Sequence, residues 1–180
     1  MSKILTGFTP QFQLWSTLAA AGLFGAAVYL TRAKRRRMAG ALMATLIFTA
    51  LNVLWDVAAH EAGWWSYPSQ ARPFLPLPVY FAQDLVWGGA LGLVGWRIQR
   101  RFGLRGVAAF VLLLSVIAAV RDFAYASITK AIAFGPSPAS PLAEFACWAT
   151  LLAIAQATIR LVGGPSTRDG LARAREISGG

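Results

Sequence analysis

Five stretches of this chain, residues 12–31, 38–59, 76–96, 106–126 and 142–162, are nearly unbroken runs of apolar and small residues. Each matches the roughly 20 residues a helix needs to cross the hydrocarbon core of a bilayer. In lipid such a run is stable as a helix, because only there do its backbone groups satisfy one another. The sequence therefore predicts an all-α integral membrane protein: a five-transmembrane-helix bundle over 1–163, then a short tail over 164–180 that reads as disordered. The first run carries its positive charges after it rather than before it, unlike a cleaved signal peptide, and is expected to stay as a span.

The net charge of +10 raises the question of nucleic acid, and its placement answers it. Arg32 and Lys34, Arg35, Arg36 and Arg37 follow the first run, and Arg97, Arg100, Arg101 and Arg105 separate the third from the fourth. Arg160, Arg168, Arg173 and Arg175 close the chain on the same side, leaving Lys3, Arg72, Arg121 and Lys130 for the other. By the positive-inside rule the N-terminus is outside and the C-terminus and tail are cytoplasmic. The rule fits a bacterial plasma membrane, or the endoplasmic reticulum in a eukaryote. Membrane lipids are expected partners, since a basic face attracts anionic headgroups, and nucleic acid is not. Gly88, Gly92 and Gly95 with Ala90 make the third run a close-packing face, the kind that also joins membrane subunits into homo- or hetero-oligomers.

Against this background the acids stand out. Of seven in the chain, Asp56, Glu61, Asp84, Asp122 and Glu144 fall where apolar runs emerge on the outer side, and so does the single histidine, His60. Ionisable groups at membrane depth are costly and mark functional sites. In the second run Thr45, Thr49, Asn52, Asp56 and His60 recur at spacings of four, three, four and four, one continuous helical face. The third run adds Tyr80, Gln83, Asp84 and Trp87 within two turns, with Asp84 roughly 12 Å past Pro76 along a helix axis. Asp122 and Tyr125 end the fourth run, and Glu144 and Trp148 begin the fifth. Arg121 adjoins Asp122, and neighbours on a helix are expected to face apart. Trp64 and Trp65 read as an interfacial belt, Trp87 and Trp148 as cavity walls.

This inventory narrows the chemistry. One His and one Cys cannot furnish an ordinary zinc site or a two-His iron centre, so no metal is expected. There is no phosphate-binding glycine loop and no lysine inside a run for a Schiff base, so no cofactor is expected either. What remains is acid–base chemistry among aromatic rings. A carboxylic acid held neutral in apolar surroundings protonates a carbon–carbon double bond. Aromatic faces stabilise the carbocation, and a second group removes a different proton, moving the double bond or closing a ring. The expected activity is that of an isomerase or cyclase on an apolar isoprenoid lipid of carotenoid, terpenoid or sterol type. Asp84 or Asp56 is the expected proton donor, with Asp122, Glu144 and His60 as base or tuning groups. Asn52, Trp55, Tyr80, Trp87, Tyr125 and Trp148 are expected to shape the pocket. Two alternatives stand beside this: a non-catalytic lipid-binding protein or subunit, and a small transporter.

The stretch 55–67, W-D-V-A-A-H-E-A-G-W-W-S-Y, resembles the W-D-x-x-A-x-x-x-G-x-W-x-(F/Y) motif of the membrane lycopene cyclases of carotenoid synthesis. Those proteins open the next helix with P-x-E-E; here Pro76, Leu77, Pro78, Val79 and Tyr80 stand there without the glutamate pair, and Pro141, Leu142, Ala143 and Glu144 are nearer the pattern. The stretch from Trp87 and Gly88 through Leu104 and Arg105 to Asp122 and Tyr125 is similar in spacing to the emopamil-binding sterol isomerases, a five-helix family. Both resemblances imply redox-neutral proton transfer at an isoprenoid double bond.

Overall fold

The structure, a computed structural model, describes residues 9–68, 70 and 72–164. The expected tail therefore lies outside the described residues except for Gly164. Helix α1, Pro10–Thr31, starts where the Thr9 hydroxyl accepts the Phe12 N–H at 3.2 Å and Pro10 takes the first helical position. It stops at Arg32, whose left-handed backbone (φ 51°) ends the hydrogen-bond ladder. Helix α2, Arg35–Glu61, follows after a short break and gives way at Gly63, also left-handed. Helix α3, Leu77–Asp84, begins behind Pro76 with Pro78 in its first turn, where a missing N–H costs nothing. A π-helical turn, Leu85–Ala90, widens the coil and leads into α4, Leu91–Thr129; α5 is Ala139–Gly163.

Four helical stretches are long and apolar enough to cross a membrane: Pro10–Thr31, Arg35–Glu61, Leu77–Thr129 and Ala139–Gly163. The third and fourth apolar runs of the sequence lie together in the third of these, a 53-residue stretch. Within its basic connection Gly103 alone leaves helical geometry, at φ 70° and ψ −161°, and two helices meet there across a kink. The stretch is no straight rod. Trp87 and Arg121 are 34 residues apart, about 51 Å along a continuous helix. Yet the Arg121 guanidinium sits 4.8 Å from the Trp87 ring. The chain doubles back at Gly103, in a backbone region open essentially to glycine alone.

Helix α2 packs most extensively on α5, and the two run antiparallel. Arg36 Nε donates to the Val162 carbonyl at 2.9 Å at one end, and Phe48 meets Trp148 at 6.0 Å between ring centroids further along. The glycine ridge holds the third wall close, as expected: a Cβ on Gly92 would collide with the Ile159 side chain. The core is built of Ala41, Ala44, Phe48, Leu93, Trp96 and Leu151, while Leu54, Ile128, Leu142 and Leu161 face outward. Large aliphatic side chains turned out over small ones turned in suit a lipid surround.

One feature lies outside the all-α expectation. The two long loops meet in an antiparallel ladder of β1, Trp65–Ser66, and β2, Ala133–Phe134, with Trp65 opposite Phe134. Gly135 N–H extends it to the Trp64 carbonyl at 2.8 Å, at a position where a Cβ would strike the Gly63 carbonyl. Phe123 stacks on Phe134 from below, centroids 3.9 Å apart. This small cap closes the end of the bundle that carries the acids.

Candidate functional site

Beneath the cap lies a cavity of about 270 Å³, lined by residues from α1, α2, α3, α4 and α5 and from both cap loops. Asp56, in the last turns of α2, is nearly fully buried on its wall. Three side chains donate to it: Trp65 Nε1 to Oδ1 at 2.9 Å, Tyr67 hydroxyl to Oδ2 at 2.8 Å, and Tyr80 hydroxyl to the same Oδ2. The Tyr80 oxygen in turn accepts the Leu75 backbone N–H at 3.1 Å, which fixes its proton toward Asp56. Donors on every side and no acceptor suit a carboxylate. Burial and the adjacent Asp56 push the Tyr67 phenol well above its ordinary value, so it stays a donor.

Across the same cavity Asp122 and Glu144 converge on one proton. The Trp148 indole N–H lies 2.9 Å from Asp122 Oδ2 and 2.8 Å from Glu144 Oε1. The other oxygen of Asp122 is held by Arg121, Nε at 2.8 Å and Nη2 at 2.6 Å. Arg121 thus corrects the expectation that it faces away from its neighbour. Its guanidinium packs against both the Trp87 and Trp148 rings, 4.8 and 5.0 Å from their centroids, and is turned back onto Asp122. Among the described residues Asp122 has a cation partner and Glu144 has none.

Of the residues singled out in the sequence, Asp56, Asp122, Glu144, Asn52, Tyr80, Tyr125 and Trp148 all line this cavity. Others stand apart. Asp84 has no exposed surface and does not line it; it sits one layer deeper, where Asn52 Nδ2 donates to Oδ1 at 3.2 Å and Oδ2 has no hydrogen-bond partner among the described residues. Trp87 stands behind Trp148, ring centroids 5.0 Å apart. Trp55 is packed into the core with its indole N–H unpartnered. His60, on the polar stripe of α2, is exposed one turn beyond Asp56 and does not reach the cavity. The stripe carries it past the end of the bundle, where water takes over.

The sequence reading missed Trp65 and Tyr67. The interfacial belt expected for Trp65 does not hold: it is 4% exposed and hydrogen-bonded to Asp56. A signal was there in the 55–67 stretch itself, whose Asp, second Trp and Tyr close on one another in space. Gln83, expected beside Tyr80 on the third run, lines the cavity as well, and so do Cys147 and Phe134, which carry no pattern in the sequence. Among the described residues no three His, Cys, Asp or Glu side chains come together as metal ligands would. The exposed rings of Phe12 and Tyr125 mark the cavity mouth on the flank of the bundle. Comparison with protein-family models, with curated proteins and with solved structures gives no match.

Proposed function

We propose that this protein is an intramembrane acid–base isomerase or cyclase acting on an isoprenoid lipid, with five spans, the N-terminus outside and the C-terminus cytoplasmic. The reversal at Gly103 supports counting the 53-residue stretch as two spans, and the basic connection at that reversal supports the orientation. The observation that carries the activity is the pairing, across one aromatic-walled cavity, of an acceptor carboxylate with a cation-free carboxyl.

In this reading Glu144 is the acid and Asp56 the base. The roles differ from the sequence expectation of Asp84 or Asp56 as donor, because Asp84 is out of reach and Asp56 is surrounded by donors. The Glu144 proton adds to one alkene carbon, the π electrons forming the new C–H bond and leaving a tertiary cation on the other. The faces of Trp148, Tyr125 and Phe134 stabilise that cation. Asp56 then takes a proton from an adjacent carbon, and the C–H electron pair restores a double bond at a new position or after ring closure. Proton return from Asp56 to Glu144 through water at the mouth completes the cycle, with no change in mass or oxidation state.

Size narrows the substrate. A cavity of about 150 Å³ holds one benzene ring, so about 270 Å³ admits an end group of a ring or two. The rest of a long isoprenoid would lie in lipid beyond Phe12 and Tyr125. A non-catalytic lipid-binding role is the second reading, favoured by the fact that two of the three donors to Asp56 come from the cap and would also simply hold it closed. The two are separated by lipid extraction and mass spectrometry from a host supplied with isoprenoid precursors. Catalysis gives a new product isobaric with its precursor, absent from Asp56→Asn and Glu144→Gln; identical lipid profiles for all three proteins leave lipid binding.

A further inference from the structure

At the opposite end of the molecule from the carboxylates a second cavity, about 810 Å³, runs between the later half of α4 and α5. Arg160 stands at one end of it, 16 residues beyond Glu144 on α5, about 24 Å along the axis. One wall is the apolar face of α4 from Leu104 to Leu112. The other carries Ala149, Ala153 and Ala157, spaced by four, a stripe of methyl groups flanked by Gln156, Arg160 and Leu161. From residue 149 to residue 161 that wall extends about 18 Å, close to the depth of one leaflet's hydrocarbon, about 15 Å.

Two polar observations give this apolar furrow a direction. Gln99 lines it at 8% exposure and makes no hydrogen bond to any described residue, whereas Gln156 beside it donates to the Gly92 carbonyl at 3.3 Å. The Gln99 amide thus offers donors and an acceptor to a polar group that enters the furrow. The surroundings are also wholly cationic. Arg37 and Arg100 both lie over the Trp96 ring, at 3.9 and 4.9 Å, and Arg36 is tied to the end of α5. Among the described residues the acids are Asp56, Glu61, Asp84, Asp122 and Glu144, none of them at this end.

We propose that this groove binds one acyl chain of an anionic phospholipid, with the phosphate on Arg160 and the ester region hydrogen-bonded by Gln99. The chain fills the alanine furrow and the headgroup meets the cationic rim. A second copy of the protein fits less well, since it would bring two arginine-rich ends together.

The test is native mass spectrometry of the full chain released from nanodiscs of equal phosphatidylglycerol and phosphatidylcholine with identical acyl chains. The expected result is a retained one-lipid adduct, enriched at least about fivefold in phosphatidylglycerol. Arg160→Gln should abolish the headgroup preference and keep the adduct. Ala153→Phe should remove the adduct; if that variant does not fold, Val111→Phe fills the furrow from the other wall. Equal retention of the two lipids by the unaltered protein overturns the proposal. So does an adduct that survives the filled furrow, or a dimer that Ala153→Phe disrupts in its place.

Discussion

Trp65 Nε1 stands 2.9 Å from Asp56 Oδ1, joining the cap of the bundle to a carboxylate on the end of α2. With Tyr67 and Tyr80 on the other oxygen, the cap is keyed to the charge of one side chain. If Asp56 is the base, as proposed, closing the cavity and orienting that base depend on the same hydrogen bonds.

Asp56→Asn should remove catalysis by about 10²-fold or more, the usual contribution of a positioned general base. Tyr67→Phe removes one donor of three and should cost about 1.5–3 kcal/mol of stability, as a hydrogen bond to a charged group does. Thermal unfolding in detergent measures the second, product formation the first. A fully active Asp56→Asn would take Asp56 out of the mechanism.

Glu144→Gln is isosteric and keeps an oxygen for the Trp148 N–H, so the fold should hold while turnover falls about 10²–10⁴-fold. Retained substrate binding, measured by quenching of tryptophan fluorescence, distinguishes a lost proton from a lost pocket. Asp122→Asn should behave differently, freeing Arg121 and lowering the melting temperature more than it slows turnover.

Gly103→Ala tests the reversal. Nothing lies within 4 Å of where a Cβ would stand, so any cost comes from the backbone at φ 70°. That cost should be about 1–3 kcal/mol. An unchanged unfolding midpoint would mean the turn adopts another geometry.

Alkaline pH offers a separate test of the cap. Burial, then the Asp56 charge, raise the Tyr67 phenol well above its ordinary value of about 10. The folded chain thus holds this proton more tightly than the unfolded one. Its contribution to stability is whole below about pH 10 and is lost as pH climbs toward the folded value, by up to about 1.4 kcal/mol per pH unit. Tyr67→Phe should flatten that alkaline decline in denaturation curves taken between pH 9 and pH 12; parallel curves would contradict the assignment.

What the sequence disclosed and what it hid divide along physical lines. The apolar runs and the polar face of Asn52 and Asp56 were legible because helical periodicity is local. The convergence of Asp56, Asp122 and Glu144 followed from their common depth. Arg121 was misread because the rule that neighbours face apart describes where side chains leave the backbone, and two indole faces bend this long one back. The basic residues 97–105 marked where the third and fourth runs part, but not that helix continues up to Gly103 on both sides, because a single glycine, and no proline, makes the kink. Trp65 and Tyr67 were hidden because a loop has no periodicity, and their orientation depends on a ladder to residues 67 and 69 positions away.

The most direct measurement is turnover of an isoprenoid panel by the purified protein in proteoliposomes made in D₂O. The account predicts a product isobaric with its substrate except for one deuterium on carbon, delivered through Glu144, and neither product nor label with Glu144→Gln. A product that carries no solvent deuterium, or one differing by two hydrogens, would contradict protonation of a double bond as the reaction of this site.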